Sequence, residues 1–113
     1  KNNDIVYTIA NGEEIRFQWH GFKAEENLRK HGVSFLQAIS IWSDVLAVEY
    51  SDLAIIDEPR YIRRGFDMDH QLLLVVYTER LGGNVIRIIS ARLATLKEEK
   101  IMKKEYDFSK MKK

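Results

Sequence analysis

The sequence contains no cysteine, which excludes disulfide bonds and thiolate metal sites as sources of stability. We therefore expect a protein of a reducing compartment, the cytoplasm. Proline occurs once and glycine six times, so few positions interrupt regular structure. No apolar run approaches the roughly 20 residues that a transmembrane helix needs, and we expect no membrane contact. The length of 113 residues predicts a single domain, 1–113.

Apolar residues make up 45% of the chain and aromatic residues 11%, which is sufficient for a hydrophobic core. Charge is distributed unevenly along the chain. Residues 1–59 carry five basic and ten acidic side chains, whereas residues 60–113 carry thirteen basic and seven acidic ones. This asymmetry is compatible with a polyanion-binding face in the second half, and equally with solvated charges that have segregated by chance.

The first half of the chain predicts a hairpin followed by two helices. The β-rich runs Ile5–Ala10 and Ile15–Trp19 flank Asn11-Gly12, which is a hairpin turn signal. Residues 1–14 are therefore predicted to include an N-terminal extension strand. Helical spacing of polar residues then predicts a short helix from Lys23 to a stop signal at Gly32. Ser34 is a capping residue that predicts the start of the second helix.

The second half predicts strands, then a last helix that begins at the capping pair Thr95 and Glu98 and ends near Tyr106. The residues 107–113 are predicted to be a flexible basic tail. The order of elements predicts an α+β fold, an antiparallel sheet with two helices from the N-terminal half and a C-terminal helix packed on it. The predicted strands are Val45–Tyr50, Tyr61–Phe66, Leu72–Arg80 and Val85–Ala91.

The residues give little support to metal or phosphate-loop chemistry. Three histidines, His20, His31 and His70, match no ligand spacing, and no H-E-x-x-H sequence or cysteine pair accompanies them. We therefore expect no metal and no other cofactor. Gly82-Gly83 falls between two strands rather than at the start of a helix, so it does not predict a phosphate loop. A serine–histidine–carboxylate arrangement stays open, but there is no nucleophile elbow.

The remaining candidate chemistry is cationic. Metal-free RNA cleavage needs a base for the 2′-hydroxyl, cations for the phosphate and an acid for the leaving oxygen. Histidine suits either proton-transfer role, so His31 is a candidate, although a corner residue bonded to the backbone is an alternative explanation. Glu58 and Tyr106 are further candidates. Strand periodicity places Arg87 on the face of Val85 and Ile89. Each strand arginine taken alone is explained as readily by a surface ion pair; they are Arg60, Arg63, Arg64, Arg80, Arg87 and Arg92.

Three blocks of the sequence are distinctive. They are Phe17-Gln18-Trp19 with Lys23, Asn27 and Lys30-His31-Gly32-Val33-Ser34-Phe35; Arg60 with Gly65; and Val75–Arg80 followed by Arg87–Arg92. Together these blocks, spread over roughly residues 15–106, resemble the BrnT family of type II toxins. One departure from the family pattern is His20, which stands where the family usually has an acidic residue, and another is the hairpin upstream of the Phe17 block.

The resemblance implies a RelE-like fold and a metal-independent endoribonuclease that cleaves RNA through its 2′-hydroxyl and inhibits translation. It also implies neutralisation by a BrnA-type antitoxin, contact with operator DNA only through that antitoxin, and a toxin homodimer within the complex as a further option. With the cationic residues, it predicts two groups in the site. The catalytic group is His31, Lys23, Lys30, Arg80 and Arg87, and the RNA-binding group is Arg60, Arg64, Arg92 and Asn27.

Two other functions are compatible with the sequence. One is a catalytically inactive module of the same fold that contacts an antitoxin or nucleic acid, since fold alone does not fix function. The other is a small enzyme for a metabolite, which needs a deep apolar pocket that no motif announces. Convergence of Lys23, His31, Arg80 and Arg87 on one cleft distinguishes the ribonuclease from the binding module.

Overall fold

A computed structural model describes residues 2–52 and 59–105 of the chain, with side chains described as far as Ile101. Within these ranges six strands form one sheet and three α-helices accompany it. The strands are β1 (Asn2–Thr8), β2 (Glu14–His20), β3 (Val48–Asp52), β4 (Arg60–Phe66), β5 (Leu72–Arg80) and β6 (Val85–Leu93). The helices are α1 (Gly21–His31), α2 (Phe35–Ile39), continued by a 3₁₀ turn (Ser40–Ser43), and α3 (Leu96–Glu105).

The sheet has the order β1-β2-β6-β5-β4-β3, and it is mixed rather than wholly antiparallel. The prediction of an antiparallel sheet is correct for four neighbouring pairs and wrong for one, because β2 and β6 are parallel. The parallel pairing follows from topology, since α1, α2 and three strands separate β2 from β6 and bring them together in the same direction. The α+β class is confirmed.

The two faces of the sheet have different coverings. The face that packs against α1 and α2, here called the helix face, carries the hydrophobic core, including Phe17, Val75 and Tyr77. The opposite face, here called the open face, presents the alternate residues of the same strands. Because α1 and α2 leave it uncovered, polar and charged side chains of the strands collect there.

The N-terminal hairpin is confirmed and forms part of the core. Ile5 of β1 lies opposite Phe17 of β2, and the Tyr7 ring meets the Phe17 ring edge to face with centroids 6.4 Å apart. The connection contains Gly12 at a positive φ of 92°, a conformation that glycine adopts without strain. The extension strand therefore covers one side of the most buried phenylalanine of the sheet.

Two element boundaries differ from the predicted ones for local reasons. Helix α1 begins at Gly21 rather than Lys23, because His20 Nδ1 accepts a hydrogen bond from the Phe22 N–H at 3.1 Å and caps the helix. Strand β3 begins at Val48 rather than Val45, because the Asp44 carboxylate binds the N–H groups of Leu46 and Phe66 and holds a turn there.

The predicted capping pair of α3 is confirmed. The Glu98 N–H donates to Thr95 Oγ1 at 3.1 Å, and the Glu98 carboxylate accepts from the Thr95 N–H at 2.8 Å. The first turn of α3 meets the sheet through Glu98, whereas Leu96 is 77% exposed. The candidates Glu58 and Tyr106, and the tail 107–113, lie outside the described residues.

No helix in the described part of the chain combines the length and apolar character required to span a bilayer.

Candidate functional site

Asn27 joins α1 to the edge of β6. Strand β2 pairs with β6 only as far as the Gln18–Arg87 pair, and beyond it the β6 backbone needs another partner. The buried Asn27 amide supplies one, because Oδ1 accepts from the Ala91 N–H at 3.1 Å and Nδ2 donates to the Ala91 carbonyl at 2.7 Å. Nδ2 also donates to the Val33 carbonyl at 3.0 Å. The Asn27 amide thus forms the two hydrogen bonds to Ala91 that a residue of a neighbouring strand would form.

This anchor determines where the basic residues of α1 lie. Lys23, Lys30 and His31 stand four residues before, three after and four after Asn27, so they share its side of the helix. They line a cavity of about 140 Å³ with Ser90 of β6. Helix α1 ends at His31 and is capped by Gly32, whose φ of 70° is left-handed and whose N–H donates to the Leu28 carbonyl. The predicted catalytic lysines and His31 are therefore brought together.

A β-bulge shapes the sheet side of this cavity. Val76 pairs with Ser90 and Tyr77 pairs with Ile88, which leaves Ile89 as an extra residue in β6. Ile89 and Ser90 consequently both line the cavity beneath α1. The predicted strand period, which put Arg87 and Ile89 on one face, fails at this bulge.

A second cavity, of about 280 Å³, adjoins the first. Both are lined by His31 and Ser90, so these two residues lie at the junction. The second cavity extends over the open face of the sheet and also meets Glu98 at the start of α3. Its other lining residues are Tyr50, Ile62, Leu74, Val76, Ala91 and Arg92.

The open face is organised in rows that cross the strands. One polar row contains Gln18, Arg87 and Thr78, with Arg60 next on β4 because its neighbour Tyr61 pairs with Tyr77. The adjoining row is largely apolar and contains Ser90, Val76, Ile62 and Tyr50. The third contains Arg92, Leu74, Arg64 and Val48. Successive rows are about 7 Å apart, two residues along a strand. An apolar row thus separates two arginine rows.

The first arginine row contains polar atoms without a partner. Thr78 Oγ1 and Arg60 Nε are buried, and neither has a hydrogen-bond partner among the described residues. Arg87 lies directly opposite Thr78 and is half-buried. Buried polar atoms without a partner are costly, and they are commonly explained by a ligand or water.

Two other cations of the open face are neutralised within the chain. Arg92 donates to both carboxylate oxygens of Glu98 at 2.9 Å each, and these hydrogen bonds hold the pKa of Glu98 down at about 2. Arg16 donates to both carboxylate oxygens of Asp4 on β1, and this contact lowers the Asp4 pKa. The RNA-binding prediction for Arg92 therefore concerns a residue that already holds an anion.

The remaining arginines lie apart from the His31 cavities. Arg80 shares the open face but lines a different concavity, at the β5–β6 turn, together with Thr78 of the first arginine row. Arg63 lies on the helix face, where its guanidinium is 5.0 Å from the Trp42 ring centre and pairs with Glu49 at 2.8 Å. The predicted convergence is thus met by Lys23 and His31, with Arg87 on the adjoining row, but not by Arg80.

The structure changes the set of candidate site residues. Asn27 was predicted to contact RNA, but its amide is buried and occupied by Ala91 and Val33, so it serves to position α1. Thr78, Ser90, Tyr50 and Glu98 were not among the predicted site residues. The alternation of Arg60, Ile62 and Arg64 along β4 is the sequence signal that indicates the rows.

Within residues 2–52 and 59–105, no group of three histidine, aspartate or glutamate side chains is arranged to hold a metal ion.

Comparison with known proteins gives one family and one fold. The family model of the BrnT ribonuclease toxin of type II toxin–antitoxin systems matches residues 19–98. The crystal structure of the Brucella abortus ribonuclease toxin BrnT is similar, with a TM-score of 0.53 and 22% sequence identity over 68% of this chain and 92% of that one. A search of curated protein sequences finds no match. The family match begins at Trp19, so β1 and most of β2 precede it. Since it spans well over half of the chain, the protein belongs to the BrnT family of ribonuclease toxins of type II toxin–antitoxin systems.

Proposed function

We propose that this chain is a metal-independent endoribonuclease whose active site lies where the two cavities meet at His31 and Ser90. The observation that carries the proposal is the position of His31, which lines a cavity with Lys23 and Lys30 and also borders Ser90, whose row adjoins the first arginine row. Proton-transfer groups beside phosphate-binding cations are what RNA cleavage requires, and this arrangement supports the proposal.

In the proposed reaction a base takes the proton of the 2′-hydroxyl, and the 2′-oxygen forms a bond to the adjacent phosphorus. The bond from phosphorus to the 5′-oxygen breaks, and an acid donates a proton to that oxygen. The products are a 2′,3′-cyclic phosphate and a 5′-hydroxyl. His31, with Lys23 or Lys30 beside it, serves the proton transfers, since these groups border the same cavity.

The first arginine row supplies the electrostatic part of the proposal. A phosphate oxygen over this row would accept from the buried Thr78 hydroxyl and Arg60 Nε, which have no partner among the described residues. Arg87 would add a charge-assisted hydrogen bond from the opposite strand. Fixed donors of this kind stabilise the charge that grows on the phosphate in the transition state.

Membership of the family supports the rest of the proposal. A type II toxin is paired with a protein antitoxin, and we propose that this partner is of the BrnA type and blocks access to the open face. Cleavage of cellular RNA by the free toxin would then inhibit translation, and operator DNA would be reached only through the antitoxin.

The decisive experiment compares four proteins on labelled RNA in the presence of EDTA: wild type, His31→Gln, Arg87→Ala and Arg29→Ala. Arg29 is an exposed α1 residue of the same charge that lines neither cavity, so it is the matched control. We expect discrete cuts with cyclic phosphate ends, a rate lowered about 100-fold or more in the first two variants, and an unchanged rate in Arg29→Ala.

Cleavage that requires added metal would refute the metal-independent mechanism. Absence of cleavage by folded wild-type protein, together with binding to an antitoxin or to RNA, would support the inactive binding module instead. Induction of the chain without its antitoxin, followed by growth and RNA integrity, extends the same comparison to cells.

A further inference from the structure

RNA cleavage does not by itself require the apolar row on the open face or the cavity above that row. Val76 and Ile62 form a floor beside Tyr50, and this row lies between the two arginine rows. The cavity above it has a volume of about 280 Å³. A hydrophobic floor beside the unpartnered donors of the first arginine row suits a ligand with a flat apolar body and an anion at one end.

Tyr50 lines the edge of this cavity. Its ring centre is 5.7 Å from the Arg64 guanidinium, an arrangement in which the cation fixes the ring from one side. The side chain nevertheless remains 43% exposed. An aromatic ring with a free surface beside apolar side chains is the usual platform on which a nucleobase stacks.

Polar groups line the cavity beside the position of such a base. Ser90, His31 and the Glu98 carboxylate all line it. Glu98 Oε1 accepts from Arg92 and Thr95, whereas Oε2 accepts only from Arg92 and so keeps one acceptor site. A base stacked on Tyr50 would therefore meet both an apolar floor and hydrogen-bonding groups, with one flanking phosphate over the first arginine row.

We infer that this cavity binds one unpaired nucleobase of the RNA, stacked on Tyr50, and that the substrate is consequently single-stranded. The inference rests on the proposed ribonuclease function and assigns to the same site the part of the nucleotide that is read. A duplex cannot deliver a base to this position, because the base is already paired and stacked.

The test measures affinity for two non-cleavable hexanucleotides with equal charge. One is 2′-O-methyl hexa-adenylate, and the other is the same sugar–phosphate chain with abasic residues at every position. The wild type is expected to bind the adenylate about 10-fold more tightly or better, because stacking on an aromatic residue strengthens binding by about that factor.

Tyr50→Ala is expected to abolish that preference and leave affinity for the abasic chain within about twofold. Tyr50→Phe is expected to keep the preference, since the ring remains. Phe22→Ala is the matched control, because Phe22 is also an exposed aromatic residue but lines neither cavity at His31. Circular dichroism verifies that each variant is folded.

Two results distinguish failure of the nucleobase site from failure of the proposed ribonuclease function. Equal binding of the two hexanucleotides by a wild type that still cleaves RNA would overturn the base site and leave the ribonuclease standing, as would a preference that survives Tyr50→Ala. A wild type that neither cleaves RNA nor binds either hexanucleotide would overturn both proposals.

Discussion

Arg92 on the last part of β6 and Glu98 in the first turn of α3 form a two-pronged ion pair, with both nitrogen–oxygen distances at 2.9 Å. The pair links the open face of the sheet to the helix that follows it. Glu98 also completes the capping contacts with Thr95, so one carboxylate serves both the sheet and the helix end.

The first prediction concerns acid stability. The pKa of Glu98 is lowered to about 2 in the folded chain, first of all by the Arg92 hydrogen bonds. A lowered folded-state pKa contributes stability that is present above the ordinary value near 4.5 and is lost as pH falls toward 2. Glu98→Gln should therefore lower Tm by a few degrees at pH 7, and the difference from wild type should shrink between about pH 5 and pH 2.

Thermal unfolding across that pH range, at low and high salt, measures the effect. Glu99→Gln is the control, because Glu99 is the next acidic residue of α3 and has no side-chain hydrogen bond among the described residues. A Tm difference for Glu98→Gln that stays constant down to pH 2 would contradict the assignment.

The second prediction concerns Asn27. Asn27→Ala removes three hydrogen bonds to the backbone of Ala91 and Val33 in a buried place, which should lower the free energy of unfolding by about 3 kcal/mol. Denaturation in urea measures the loss. Asn84→Ala, at an exposed turn position, should change stability by less than about 0.5 kcal/mol. Equal small effects of the two substitutions would show that Asn27 does not anchor α1.

The third prediction concerns phosphate contact by Arg87. Arg87→Ala should weaken binding to single-stranded RNA of any sequence and reduce the slope of log K against log salt by about 0.7, the value for one lost phosphate contact. Titrations at four or more salt concentrations measure the slope. Arg29→Ala should leave the slope unchanged, so an equal reduction in both variants would mean that Arg87 acts only through net charge.

The fourth prediction concerns the N-terminal strand. Ile5 packs against the core on the helix face, whereas its neighbour Val6 is exposed on the open face. Ile5→Ala should lower the free energy of unfolding by about 1–2 kcal/mol, and Val6→Ala by less than about 0.5 kcal/mol. If the two substitutions are equally mild in urea denaturation, β1 is an appendage rather than part of the core.

Most elements of the fold could be predicted from the sequence, because their signals are local. The Asn11-Gly12 turn, the buried run of β5 and the Thr95–Glu98 cap each act within a few residues. The parallel pairing of β2 with β6 could not be predicted in this way. It depends on contacts between residues about 70 positions apart, on which local spacing carries no information.

The residue types of the candidate site could be predicted from the sequence, but their positions in the fold could be predicted only in part. Lys23, Lys30 and His31 converge because helical spacing puts them on one side of α1, a property visible in the sequence. Arg80 and Arg87 were grouped by chemistry, yet the length of β5 carries Arg80 to the hairpin turn, away from His31. The bulge at Ile89 and the strand-like role of Asn27 depend on the assembled sheet.

An aspartate lies at each end of the first arginine row. Asp4 on β1 stands opposite Gln18, and Asp52 on β3 stands opposite Arg60, so a carboxylate closes the row at each outer strand. At both margins the row therefore ends in an acceptor rather than in a cation, and neither end adds a phosphate-binding charge. On the proposed function we therefore expect RNA to run lengthwise along β5 and β6 rather than across the sheet, and the strand ahead of the family match supplies one of the two aspartates.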